Sequence, residues 1–165
     1  MKRLLAAGAA AVVLAAAFAM HAAPTEEEEI EAVITTVLEA YRTGDSATLG
    51  RNYAPEVTVV PGDYSPLIDG WSNVEPRYRL AYAAFAQLEL LRENTRIARR
   101  GKLAWAFYQW RLAGARGKDM VQAQGHTTMI LEKRGGHWLI VHNHTSMVPT
   151  AGPAPGPAPA APPQP

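Results

Sequence analysis

The chain contains no cysteine. Disulfide staples, thiolate nucleophiles and thiolate metal sites are therefore excluded, and so is a lipid-bearing cysteine behind the apolar leader described below. It also has almost no net charge, with 16 Lys and Arg against 15 Asp and Glu in 165 residues. Setting aside Lys2 and Arg3, which sit in that leader, leaves 14 basic residues against 15 acidic ones. Such a balance lacks the basic footprint of a protein that binds nucleic acid or an anionic membrane. There is no phosphate loop, nucleophile elbow, dinucleotide fingerprint or internal repeat, so no cofactor is implied.

One long apolar run is present, at residues 4–20, preceded by Lys2 and Arg3 and followed by small residues. It is alanine-rich and short of the roughly 20 strongly apolar residues that span a bilayer. Residues 1–22 are therefore expected to be a cleavable signal peptide, cut after Ala19 or Ala22. The mature protein would be periplasmic or secreted and free of the membrane. Residues 149–165 are nearly all Pro, Ala and Gly, a composition expected to form an extended tail without a core. Residues 24–148 are left as one domain.

Within it, Thr25 caps a first helix over residues 25–42. Glu26 to Glu29 stand at the positive end of its dipole, and Ile30, Val33, Ile34, Val37, Leu38 and Tyr41 form its apolar stripe. Gly44 stops this helix, and Asp45 or Ser46 starts a short second one ending near Asn52 or Tyr53. The EVTVV run at residues 56–60 is a strand, followed by a Pro-, Gly- and Asp-rich loop to Gly70. Val74, Tyr78, Tyr82 and Phe85 predict a third helix over residues 71–88, with Pro76 tolerated near its first turn. Strands are then expected at residues 88–98, 102–113, 119–133 and 137 onward, with turns at residues 99–101 and 114–117 and at Gly135–Gly136.

The last hairpin holds three histidines. A two-residue turn pairs Arg134 with His137. One face then carries Thr127, Met129, Leu131, Trp138, Ile140, His142, His144 and Ser146, and the other carries His126, Thr128, Ile130, Leu139, Val141, Asn143 and Thr145. His142 and His144 share a face, about 7 Å apart. His126 falls on the opposite one, and only a three-residue loop or a bulge would join all three as a zinc- or iron-like set. No metal site is expected. Both faces are half apolar, so one should pack on the helices and line a pocket while the other meets a second subunit; the pattern does not say which.

The order of elements resembles the nuclear transport factor 2-like superfamily and specifically its SnoaL-like branch. The resemblance is carried by YRTGD (41–45), NYAPEVTVVPG (52–62), GWSNVEPRY (70–78), GKLAWAFYQWRL (101–112) and GHTTMILEKRGGHWLIVHNHTS (125–146). The last of these is also similar to the end of the association domain of calcium/calmodulin-dependent protein kinase II. The resemblance implies an α+β cone: three N-terminal helices in a strongly curved, mainly antiparallel sheet, an apolar pocket within, and a homodimer through the outer sheet face. Ketosteroid isomerases of the superfamily carry a general-base carboxylate just before the proline that ends the first strand, where this chain has Val60. The arginines of the kinase association domain's pocket have no counterparts either, the nearest positions being Trp110, Met129 and Thr145.

Three functions compete. The first is binding of a small, largely apolar molecule, with Tyr53, Trp71, Tyr78, Tyr108, Trp110, Met129 and Asn143 as the expected ligand contacts. The second is a cofactor-free lyase or isomerase in which His142 and His144 exchange protons while a tyrosine orients a carbonyl. The third is a ligand-free dimerisation module whose pocket is plugged by Trp and Tyr. Asp63 and Asp69, the other acid–base candidates, lie beside glycines where turn chemistry explains them.

Overall fold

The computed structural model describes residues 23–148. The expected signal peptide and the Pro/Ala-rich tail lie outside the described residues. Helix α1 spans Glu26–Thr43, α2 Ser46–Asn52 and α3 Trp71–Ala83. The strands are β1 Tyr53–Val60, β2 Ile68–Asp69, β3 Ala86–Arg100, β4 Leu103–Arg116, β5 Asp119–Arg134 and β6 His137–Val148. They form one sheet in the order β2-β1-β6-β5-β4-β3, antiparallel except for the β1–β6 pair. This is the α+β cone that the resemblance implied.

Helix α1 begins as its sequence dictates. The Thr25 side chain accepts from the Glu28 N–H while Glu28 reaches back to the Thr25 N–H at 2.7 Å, a reciprocal capping box. The acidic run does more than complement the dipole. Lys133 on β5 donates to Glu26 at 3.2 Å and Glu29 at 2.8 Å, and Arg92 on β3 pairs with Glu31. With Arg99 of β3 also paired to Glu26 at 3.3 Å, the helix is fastened to the inner face of the sheet by three cations, and Ile30, Ile34, Val37 and Ala40 are buried beneath it. Ala104, Ala106, Tyr108, Met129, Leu131 and Ile140 meet them from the sheet.

Several boundaries differ from expectation. Helix α3 ends at Ala83, short of Leu88, and Phe85, just before β3, turns its ring onto the sheet. Its ring lies against Gly114, where a Cβ would come within 3.0 Å of it, and beneath the Arg116 guanidinium at 4.9 Å. Gly114 is accordingly a strand residue kept small for Phe85, and the turn falls at residues 117–118. Ile68–Asp69, expected as loop, pairs with Val59 and Thr58. Pro76 sits at the sixth position of α3, beyond its first turn.

The turn at Gly135–Gly136 pairs Arg134 with His137, as expected, and the pairing holds to Leu131 opposite Ile140. The next pair is Ile130 with His142. Val141 is therefore a bulge, and every residue beyond it is inverted relative to the unbulged register. Asn143 and Thr145 turn inward, whereas His142, His144 and Ser146 turn outward. The face assignment expected for residues 142–146 is corrected by this one inserted residue.

Candidate functional site

The helices and the inner face of the sheet enclose a cavity of about 580 Å³. Val37 and Leu38 of α1, Leu49 of α2, Val74 of α3, and Met129 and Leu112 of the sheet give it an apolar wall. Six of the seven expected ligand contacts line it: Tyr53, Tyr78, Tyr108, Trp110, Met129 and Asn143. Trp71 does not. It stacks on the far side of Tyr53, ring centres 5.1 Å apart, and supports that ring from behind.

Polar groups converge on one region. The hydroxyls of Tyr53 and Tyr78 lie 3.1 Å apart, and Asn143 Nδ2 donates to each at 3.3 Å. Tyr41 meets Tyr78 edge to face at 5.5 Å. Thr127 and Thr145 share a hydrogen bond of 3.1 Å. Burial raises the Tyr53 phenol well above its ordinary range, with the neighbouring Tyr78 adding to the effect, and burial raises Tyr78 and Tyr108 as well. These phenols are neutral hydrogen-bond donors at physiological pH. Thr127 and Thr145 were not among the expected contacts. Thr145 was placed on the face of His126, and only the bulge shows that it lines the cavity.

Charges stay at the rim. Asp63 pairs with Arg77 at 3.1 Å and accepts from the Ser65 N–H at 3.1 Å. Hydrogen bonds from Ser65 hold its carboxyl below the usual range, so it is ionised and a poor general acid. Asp69 is exposed in β2, its carbonyl accepting from the Asn73 side chain. The position before Pro61 is Val60, which borders the cavity and supplies no carboxylate for isomerase chemistry.

No histidine lines the cavity among the described residues. The bulge at Val141 puts His126, His142 and His144 on the outer face together, the geometry that a metal set required. They do not converge: across the β5–β6 pair, His126 stands opposite Ser146, His144 opposite Thr128 and His142 opposite Ile130. His126 stacks on Phe107 at 5.6 Å, and His142 Nδ1 lies 2.6 Å from the Thr58 hydroxyl. No metal-binding cluster occurs among the described residues. Proton transfer to a cavity ligand by His142 or His144 has no geometric basis, because both rings point away from it.

Residues 30–150 match the SnoaL-like domain. The chain belongs to this family. Solved structures with the SnoaL-like chain's fold include an NTF2-like superfamily protein from Salmonella enterica serovar Typhimurium, 21% identical with a TM-score of 0.69, the match covering 79% of this chain and 96% of that one. A candidate dehydratase of the NTF2-like family from Streptomyces avermitilis is 19% identical with a TM-score of 0.68, covering 74% and 96%. A candidate calcium/calmodulin-dependent protein kinase II association domain from Xanthomonas campestris is 20% identical with a TM-score of 0.67, covering 76% and 90%. At these identities the likeness is one of fold, and the fold hosts unrelated activities. No curated protein matches the chain.

Proposed function

We propose that this SnoaL-like protein is an exported binding protein that holds one small, largely apolar molecule in its cone, and that two copies associate through their outer sheet faces. The observation that carries the binding reading is the cavity itself. Its volume of about 580 Å³ lies within the roughly 300–1,000 Å³ of small-molecule sites, and a few neutral polar groups converge in an apolar wall. The aromatic plug of a ligand-free module is not there, and the histidines of a lyase or isomerase face the other way.

Dimerisation is supported by the outer face, where Trp105, Phe107 and Ile130 are 45%, 37% and 39% exposed side by side on β4 and β5. Export is supported by the charged start, apolar run and small residues of positions 1–22. No helix of the described residues is long and apolar enough to cross a membrane.

Native mass spectrometry of the mature protein from its own envelope tests the reading. A dimer carrying a defined organic mass is expected. A protein that arrives empty, and takes up none of a panel of small apolar compounds, would end the binding reading.

A further inference from the structure

The trio of Asn143, Tyr53 and Tyr78 has hydrogen-bonding capacity left over. The two Nδ2 protons of Asn143 go one to each tyrosine oxygen, at 3.3 Å. The hydroxyls share one hydrogen bond, at 3.1 Å, which engages one of their two protons. The second proton has no acceptor among the described residues. Tyr53 is 3% exposed and Tyr78 only partly buried, so the arrangement that leaves this proton reachable has Tyr53 donating to Tyr78 and Tyr78 facing the cavity. Asn143 Oδ1, the trio's free acceptor, is enclosed by protein atoms.

A buried donor without an acceptor is costly, and a ligand that supplies the acceptor recovers that cost. The charge around the trio restricts what the ligand can be. The ionic groups lining the cavity are Asp63, Arg77 and Arg116. Asp63 and Arg77 satisfy each other, Arg116 lies over Phe85, and none hydrogen-bonds to the trio. A carboxylate seated on it would be buried without a counter-ion. An alcohol would bring a proton of its own, with the only free acceptor of the trio closed off.

We infer that the trio seats the oxygen of an uncharged carbonyl compound with a largely apolar skeleton, the Tyr78 hydroxyl donating to that oxygen. This names the ligand class for the binding reading above and rests on it. Seating is by hydrogen bonding alone, and no bond in the ligand is made or broken.

The test is calorimetric titration of the full mature protein with three probes of one shape: methyl naphthyl ketone, isopropenylnaphthalene, which has a methylene in place of the oxygen, and naphthoate. The ketone is expected to bind about tenfold more tightly than the hydrocarbon, the effect of satisfying one buried neutral donor. Naphthoate should bind more weakly than the ketone. Tyr78→Phe should bring the ratio of ketone to hydrocarbon affinity down to about one. Should that variant fold poorly, the wild-type protein with carbon-13 at the ketone carbonyl gives a second readout, a downfield shift on binding.

Equal affinity for ketone and hydrocarbon, an unmoved carbonyl signal in the bound ketone, or tightest binding by naphthoate would each overturn the carbonyl assignment with the binding reading intact. Binding of none of the three would instead count against the binding reading itself.

Discussion

Gly125 lies directly against the indole of Trp110. A Cβ at position 125 would fall 2.6 Å from the indole ring and 1.9 Å from the Ser146 carbonyl oxygen. The indole can swing, but the carbonyl belongs to the paired strand and cannot yield without opening the ladder. Gly125→Ala is therefore expected to destabilise the protein by at least about 3 kcal/mol, the upper end of ordinary overpacking. Urea unfolding checks this, and a loss below about 1 kcal/mol would show that β6 relaxes more readily than its pairing implies.

The capping box at Thr25 should be measurable by itself. Thr25→Ala removes the acceptor for the Glu28 N–H and is expected to cost about 1 kcal/mol. The double variant with Glu28→Ala should cost less than the sum of the single ones, since each half of the box supports the other. Strict additivity would mean that the two bonds act independently.

Acid should weaken the protein through His142. Burial lowers the pKa of this imidazole, and the nearby His144 lowers it further. As pH falls below about 6.5 the unfolded chain takes up a proton that folded His142 resists, so stability is full above that pH and declines toward the depressed folded value. The melting temperature of wild type should fall between pH 7.5 and 5.5 by more than that of His142→Gln. Parallel declines in the two proteins would show that His142 titrates as freely when folded as when unfolded.

Placing a charge on the outer face should separate association from folding. Trp105 is 45% exposed opposite Ile130 and takes no part in the core. Trp105→Glu is expected to yield a folded monomer in analytical ultracentrifugation, with unchanged circular dichroism. A dimer that persists would place the subunit contact elsewhere.

Much of this architecture was legible in the sequence, and the exceptions share a cause. Helix α1 could be read because its cap, its acidic first turn and its apolar stripe all give the same answer. The Gly135–Gly136 turn could be read because two consecutive residues with positive φ have few other uses. Phe85 misled because it continues the helical spacing of Val74, Tyr78 and Tyr82, yet its partner is Gly114, which is distant in sequence. The tyrosines and Asn143 were expected as ligand contacts and line the cavity, but their mutual hydrogen bonds could not be read from the sequence. The facing of the histidines stayed open because IVHNHT carries one apolar residue and two polar ones on each face, and no local signal marks Val141 as the extra residue.

That extra residue makes the chemistry of the cavity a matter of parity. Were Val141 to pair in the ladder instead of bulging, with the turn kept, the far half of β6 would rotate by one face, carrying two imidazoles inward and Asn143 and Thr145 to the outer face. A binding chamber of neutral donors would become one holding two titratable bases without any change of sequence, whereas deletion of Val141 would regularise the ladder and keep Asn143 and Thr145 inward. The reactive repertoire of such a cone thus depends on which residue of one strand is left out of the ladder as much as on the identity of its residues.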